Sequence, residues 1–190
     1  MTTLCFDTET TGLPRFDLPA DDSRQPRICS VAMVLLADAK PLQTYYWYVR
    51  PDGWTVPDEV AAIHGLSNAK LTEDGIPIRE VLEKFCVVHD LADQIMGYNC
   101  SFDLKLLRGE LRRCAMNDRY GAKPVRDIMK ECTDVCRLPG KRGYKWPKLS
   151  EAVNIMLGRE HVGAHDAMAD VCATIDLASA LDKRAVASEL

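Results

Sequence analysis

Residues Leu4–Pro14, LCFDTETTGLP, join the apolar run of a buried strand to two acidic side chains and a turn. The apolar residues 4–6 are typical of a strand inside a sheet, and the glycine and proline that follow are turn residues. Because the side chains of a strand alternate between two faces, Asp7 and Glu9 lie on the same face if the strand continues through Thr8. Neighbouring carboxylates repel each other unless a cation lies between them, and oxygen ligands suit Mg²⁺ or Mn²⁺. The spacing therefore predicts a divalent-metal site, with an acidic surface turn as the alternative.

The length and charge of the chain limit its organisation and its partners. With 190 residues, of which 47% are hydrophobic, it is long enough for one well-buried domain and short for two. The net charge of −4 gives no overall basic field of the kind that indicates nucleic acid. A site that gathers carboxylates around metal ions is itself acidic, so this charge does not exclude a nucleic-acid substrate.

The cysteines favour a reduced protein. Eight cysteines indicate a disulfide scaffold only in a much smaller secreted chain. Most of them lie in apolar or helical patterns, where cysteine serves as a small hydrophobic residue: Cys5, Cys29, Cys86, Cys100, Cys114 and Cys172. We find no signal-peptide pattern, and no apolar run approaches the roughly 20 residues of a membrane span. We therefore expect a soluble protein of the cytoplasm that does not bind membranes.

The hydrophobic patterns predict three strands followed by alternating helices and strands. The three strands lie at residues 4–9, 27–37 and 42–51 and are expected to form an antiparallel meander. Two more strands are expected at residues 94–99 and 123–127. Helices are expected over residues 57–64, 77–92, 101–116 with Ser101 as a cap, 128–138, 147–158 and 166–181. This order predicts an α/β fold in which a mixed five-stranded sheet carries helices on both faces.

Two further segments place acidic residues near predicted helix starts. Asn99 and Asp103 are four residues apart, which puts them on one helix face, although an acid at a helix N-terminus also favours the helix itself. In GAHDAMAD, His165 lies just before the last predicted helix and Asp170 in its second turn. A loop histidine with an ordinary pKa near 6.5 can accept a proton from water at neutral pH, although a lone histidine is more often a plain surface or core residue.

Together these segments resemble the DEDDh branch of the DnaQ-like 3′-to-5′ exonucleases, which includes proofreading subunits, oligoribonuclease, RNase T and the TREX enzymes. FDTETTGL, GYNCSFD and HDAMAD are similar to the three family motifs and occur in the family's order. IHGL, residues 63–66, resembles the short element between the first two motifs, and a histidine in the third motif indicates the h branch. The resemblance implies an RNase H-like fold with one exonuclease domain over residues 1–182 and a short polar tail over residues 183–190.

The resemblance also implies two divalent ions, Mg²⁺ or Mn²⁺, and hydrolysis of the terminal phosphodiester at 3′ ends of DNA or RNA, with release of nucleoside 5′-monophosphates. By the family pattern, Asp7 would bridge both ions. Glu9 and Asp170 would bind or support the first ion, and Asp103 would hold the second. His165 would deprotonate the attacking water.

Five positions are expected to contact the substrate by the same resemblance, one of them the metal-binding acid Glu9. Glu9 and the backbone near Thr10 would hold the terminal 3′-hydroxyl. Leu13 would pack on the last base, with His64 on its other side. Asn99 of the second motif completes this set. The family further implies a homodimer or a polymerase-associated partner as possible assemblies.

Two other features of the sequence allow competing interpretations. Cys132 and Cys136 with His161 and His165 have spacings that zinc sites use, but the interval between the two pairs exceeds the roughly twelve residues of a zinc finger. Lys141–Lys148, KRGYKWPK, interleaves basic and aromatic residues as in segments that hold single-stranded nucleic acid. The alternative for this segment is a solvated loop whose aromatic residues pack against the domain.

Two other functions use the same residues. A nuclease fold that has lost its activity would act as a nucleic-acid-binding scaffold, and a metal-dependent phosphatase would apply the same carboxylates to small phosphate esters. The intact acids argue against the scaffold. The TTGL and IHGL elements favour a polymer end over a small ester.

Overall fold

The computed structural model describes residues 1–118 and 123–188. Its strands are β1 (Thr2–Thr10), β2 (Ile28–Ala37), β3 (Lys40–Tyr48), β4 (Gln94–Gly97), β5 (Val125–Asp127), β6 (Pro139–Gly140) and β7 (Gly143–Tyr144). Its helices are α1 (Asp58–His64), α2 (Asn68–Asp74), α3 (Ile78–Leu91), α4 (Cys100–Arg113), α5 (Ile128–Cys136), α6 (Leu149–Leu157) and α7 (Ala167–Ser188). Residues 189–190 of the predicted tail lie outside the described residues.

The first five strands form one mixed sheet in the order β3-β2-β1-β4-β5. β1 and β3 both pair with β2 in antiparallel register, whereas β4 is parallel to β1 and to β5. The predicted five-stranded sheet, with an antiparallel meander of its first three strands, is confirmed. Helices supply the crossovers that parallel strands require.

The alternating side chains of β1 divide the core into two layers. Leu4 and Phe6 belong to the layer covered by α3 and α4, where the ring of Phe6 meets Phe85 edge to face at 5.3 Å. Cys5 belongs to the opposite layer, which is covered by α5, α6 and α7. A fully buried large apolar side chain of these layers, such as Leu4, contributes about 1.5–3 kcal/mol to folding. The helices therefore cover both faces of the sheet, as predicted.

The same alternation directs the polar end of β1. Asp7 pairs across the sheet with Ala32, whose side chain belongs to the layer of α7, and Glu9 follows on that face. Thr8 lies between them and points to the opposite layer. The strand continues through Thr10, with a register shift between Glu9 and Thr10. The prediction that the two carboxylates share a face is confirmed.

Several local elements differ from the predictions. Helix α7 runs to Ser188 rather than ending near residue 181, because the DKRAVAS segment consists largely of good helix formers. Ser101 does not cap α4; it lies in the first turn, and Asn99 occupies the N-cap position with a φ of 63°. The sequence patterns also missed α2, whose Ser67 hydroxyl accepts a hydrogen bond from the Lys70 amide at 3.1 Å.

Two global features follow from the described residues. All eight cysteines lie among them as free thiols.

In the described part of the chain, no helix combines the length and the apolar character needed to cross a bilayer.

Candidate active site

Three carboxylates from two elements converge at the end of β1. One oxygen of each of Asp7, Glu9 and Asp170 lies within 4.8 Å of the other two. Asp7 and Glu9 reach this point because they share the sheet face that α7 covers. Asp170 lies in the first turn of α7 rather than the predicted second turn, because the helix begins at Ala167.

Asp166 fixes the start of α7. Its Oδ1 accepts hydrogen bonds from the backbone amides of Met168 and Ala169 at 3.1 and 3.0 Å, as an N-cap side chain does. His165 therefore lies just outside the helix, with a positive φ of 67° and an exposed side chain. This conformation presents the imidazole to solvent beside the three carboxylates.

Asp103 approaches the same place from the opposite layer of the sheet. Its Oδ1 accepts hydrogen bonds from the Thr8 amide at 3.1 Å and from the Thr8 hydroxyl at 2.6 Å. Asp103 is only 3% exposed, so these two bonds are needed to satisfy a buried carboxylate. Thr8 was not predicted as a site residue. The sequence did contain a signal for it: because Thr8 stands between the two acids in a strand, its side chain points to the opposite face, toward α4.

An open cavity of about 410 Å³ connects these groups. The residues predicted for catalysis, metal binding or substrate binding that line it are Asp7, Glu9, Asn99, Asp103, His165 and Asp170. A volume of this order is typical of a ligand site.

The remaining predicted substrate residues do not line this cavity. The Thr10 hydroxyl donates to the Gly12 carbonyl at 2.7 Å, so it is engaged within the turn. Leu13 is 81% exposed, which leaves it available for an apolar contact. His64 accepts the Leu66 amide at Nδ1, and burial lowers its pKa, an effect to which the nearby His165 adds.

The carboxylates of the site resist ionisation. Burial, followed by repulsion from Asp103, Asp170 and Glu9, raises the pKa of Asp7 well above its ordinary range. Burial and the neighbouring acids raise the pKa of Glu9 to about 8. Burial raises the pKa of Asp103 to about 7 against the opposing hydrogen bonds from Thr8. Such a donor set of crowded, hard oxygen atoms fits divalent cations, which would compensate the repulsion.

These shifts predict a pH-dependent stability of the metal-free protein. Because the folded-state pKa of Glu9 is about 8, the folded state retains a proton that the unfolded chain releases at lower pH. The free energy of unfolding therefore falls as the pH rises from about 5 to 8, and we expect the Tm to fall by roughly 5–10 °C. Calorimetry of Glu9→Gln without metal should show a weaker dependence. An equal slope in both proteins would contradict the assignment.

His161 is the partner of Asp170. Its Nε2 lies 2.6 Å from Asp170 Oδ1, and its side chain is only 3% exposed. Burial raises the pKa of Asp170, and this hydrogen bond opposes the increase. A histidine that donates to one carboxylate oxygen fixes the direction of the other, as outer-shell groups do in metal sites. From its spacing in the sequence, His161 was predicted only as an alternative zinc ligand.

The predicted zinc alternative has no support in the described residues. Cys132 is buried in the layer of α5, α6 and α7, with Cys136 packed against the same cluster. Among the described residues, the cluster with the spacing of a metal site contains Asp7, Glu9 and Asp170 and no cysteine. The helix α5 directs its cysteines into the core, where they act as small hydrophobic side chains.

We expect His161→Leu to weaken Mn²⁺ binding by about 10- to 100-fold, because Asp170 loses the group that orients it. His161→Gln should recover most of this affinity, since its amide can donate from nearly the same position as Nε2. Isothermal titration with Mn²⁺ measures both variants without reference to activity. Equal affinity in wild type and His161→Leu would show that the contact does not orient the ligand.

Comparison with solved structures gives proteins of similar fold. The structure is similar to Escherichia coli exonuclease I in complex with a dT13 oligonucleotide, with 22% identity, a TM-score of 0.76, and 96% of this chain and 41% of that chain covered. It is also similar to exonuclease I from Methylocaldum szegediense, with 22% identity, a TM-score of 0.75, and 96% and 40% of the two chains covered. At this identity the likeness establishes the fold, and the chain spans less than half the length of these proteins.

Sequence comparison gives a complementary result. Comparison with curated proteins gives no match. The family model RNase_T, described as exonuclease, matches residues 4–178, which contain the main sheet except the first two residues of β1, and all four acids of the site. The chain therefore belongs to this exonuclease family.

Proposed function

We propose that this chain is a DEDDh-type 3′-to-5′ exonuclease that uses two divalent ions, Mg²⁺ or Mn²⁺, and releases nucleoside 5′-monophosphates from DNA or RNA. The observation that carries the proposal is the convergence of Asp7, Glu9 and Asp170, with Asp103 in the same open cavity. The similar exonuclease I of E. coli was solved with a dT13 oligonucleotide, which supports a nucleic-acid strand as the substrate class.

The acids divide into two groups by their contacts. Asp7, Glu9 and Asp170 form the cluster that would hold one ion, and Asp103 would hold the second together with Asp7. When bound, such a pair of ions stabilises the charge on the attacking and leaving oxygens of an in-line displacement at phosphorus. Thr8 holds one oxygen of Asp103, which leaves the other oxygen for this task.

His165 is the proposed general base. Its side chain is exposed at the cavity and lies outside α7, so it can take a proton from a water molecule and pass it to solvent. Glu9 and the Thr10 backbone would hold the terminal 3′-hydroxyl, while Leu13, His64 and Asn99 would contact the terminal nucleotide. The exposure of Leu13 supports its part in this assignment.

Cleavage of a 5′-labelled oligonucleotide in the presence of Mn²⁺ tests the proposal. A ladder that shortens from the 3′ end supports an exonuclease, and the same assay with matched DNA and RNA strands identifies the preferred sugar. An intact oligonucleotide together with hydrolysis of p-nitrophenyl phosphate would indicate a phosphatase. An oligonucleotide that is bound but never shortened would indicate a scaffold.

A further inference from the structure

One wall of the cavity is formed by residues that the mechanism does not use. Trp146, Pro147 and Lys148 connect the hairpin β6–β7 to α6 and line the same cavity as the four acids. Two of these three side chains are of the types that hold single-stranded nucleic acid: an aromatic ring and an ammonium group.

Trp146 differs from the other tryptophans in its surroundings. It is 63% exposed, whereas Trp47 and Trp54 pack against the hydrophobic core. Leaving so large an apolar ring in water at the edge of an acidic cavity gains nothing for folding. An indole that faces such a cavity is suited to stack on the flat surface of a base.

Hydrogen bonds hold this wall in place. The Tyr98 hydroxyl donates to the Pro147 carbonyl at 2.8 Å, which ties the segment to the end of β4. The Lys148 amide donates to Glu151 Oε2 at 2.8 Å. Trp146 is therefore carried on an anchored backbone, which lowers the entropic cost of stacking.

Lys145 and Lys148, the two lysines on either side of Trp146 and Pro147, differ in their contacts. Lys145, which is outside the cavity, forms an ion pair with Glu151 at 2.6 Å. Lys148 forms no ion pair with any described residue, and it is the lone lysine or arginine in the described lining of the cavity. Its charge adds to the positive potential around Glu151, and because the side chain is exposed, the same charge can attract a phosphate that must approach an acidic site.

We propose that Trp146 and Lys148 form a subsite for an unpaired nucleotide upstream of the terminal one, an inference that rests on the proposed function. The indole stacks on the base, and the ammonium group binds the adjoining phosphate. Asn99, expected beside the terminal nucleotide, lines this cavity, whereas Leu13 and His64, expected on the two sides of the terminal base, lie outside it. We therefore assign Trp146 to the next base, on the side of Asn99 away from Leu13 and His64. The substrate end is therefore single-stranded over at least two nucleotides.

Kinetics on two substrates of different length test the stacking contact. For Trp146→Ala, the ratio of kcat/KM on a single-stranded oligothymidylate to that on the p-nitrophenyl ester of thymidine 5′-monophosphate should fall by about 5- to 100-fold. The ester has no upstream nucleotide. Tyr144→Ala is the matched control, because Tyr144 is an exposed aromatic residue of the same segment that does not line the cavity.

Intrinsic fluorescence gives an independent reading that does not require turnover. Binding of the oligothymidylate in EDTA should quench the fluorescence of the wild type, and Trp146→Phe should lose that quenching while a smaller ring still stacks. Identical quenching in both proteins would overturn the stacking contact.

The phosphate contact predicts a change in salt dependence. Lys148→Ala should reduce the slope of log KM against log salt by about 0.7, the value for one phosphate on a single strand. Lys141→Ala, an exposed lysine of the hairpin loop outside the cavity, should leave the slope unchanged.

The outcomes separate the two proposals. A wild type that hydrolyses neither substrate contradicts the proposed function. A wild type that hydrolyses both, with an unchanged substrate ratio in Trp146→Ala and an unchanged salt slope in Lys148→Ala, overturns the subsite alone.

Discussion

Asp7→Asn is expected to lower kcat by at least about a thousandfold while the protein remains folded. Asp7 is the acid that the other three surround, and the loss of its charge removes several kcal/mol of transition-state stabilisation. The substitution keeps the volume of the side chain, so the packing beside Cys5 and Ala32 is preserved. Steady-state cleavage of a labelled oligonucleotide, with circular dichroism of the same preparation, measures both effects.

The same substitution should stabilise the metal-free protein. Burial and four neighbouring acids disfavour the Asp7 carboxylate, and a neutral amide removes that repulsion. Asp134→Asn, on the exposed side of α5, is the control that should change neither activity nor Tm. A variant Asp7→Asn with near wild-type turnover, or with a lower metal-free Tm, would show that the charge at this position has another purpose.

His165→Ala is expected to lower kcat by about 100- to 10,000-fold and to leave Mn²⁺ affinity nearly unchanged. His165 lies in the cavity but outside the carboxylate cluster, so, as the proposed base, its removal should affect proton transfer rather than the metal ligands. Single-turnover cleavage and isothermal titration with Mn²⁺ measure the two quantities separately.

His161→Leu provides the contrasting variant. His161 contacts Asp170 directly, and its loss should appear first in Mn²⁺ affinity, whereas the loss of His165 should appear in kcat. The two histidines are four residues apart and enter the site from different surroundings, one buried and one exposed. If His165→Ala weakened Mn²⁺ binding as much as His161→Leu does, His165 would be a ligand or a ligand-orienting group rather than a base.

The direction of the acids in β1 could be predicted from the sequence because it depends on a local rule. Strand side chains alternate with a period of two, so the spacing of Asp7 and Glu9 determines their common face. The position of Asp170 depends on how α7 packs on β1, and the distance between these two elements cannot be read from residue spacing along the chain. The shared motif order, rather than the pattern of hydrophobic residues, brought Asp103 and Asp170 into the prediction.

The contacts of Thr8 and His161 were beyond such reasoning for different reasons. Thr8 binds Asp103 across 95 positions of sequence, and only the tertiary arrangement brings α4 to the end of β1. His161 was assigned by its spacing from His165, a pattern that suits metal ligands. Its burial against Asp170 depends on the loop before α7, which carries turn residues and no regular period.

The elements that were missed are short or irregular. The hairpin β6–β7 has two residues in each strand, too few to show an alternating pattern. The extra length of α7 has a different origin, since residues 182–187 are exposed and mark no buried face. Hydrophobic periodicity detects the part of a helix that packs, and α7 extends beyond that part.

The alternation of side chains in β1 has a consequence for any attempt to engineer this protein. Removal of one residue between Thr2 and Phe6 would rotate the strand's polar end by half a turn relative to its apolar start. Thr8 would then face α7, and the two acids would be driven among the leucines of α4. Insertions in surface loops can be accommodated, but the loss or gain of one residue within this strand would turn Asp7 and Glu9 away from Asp170.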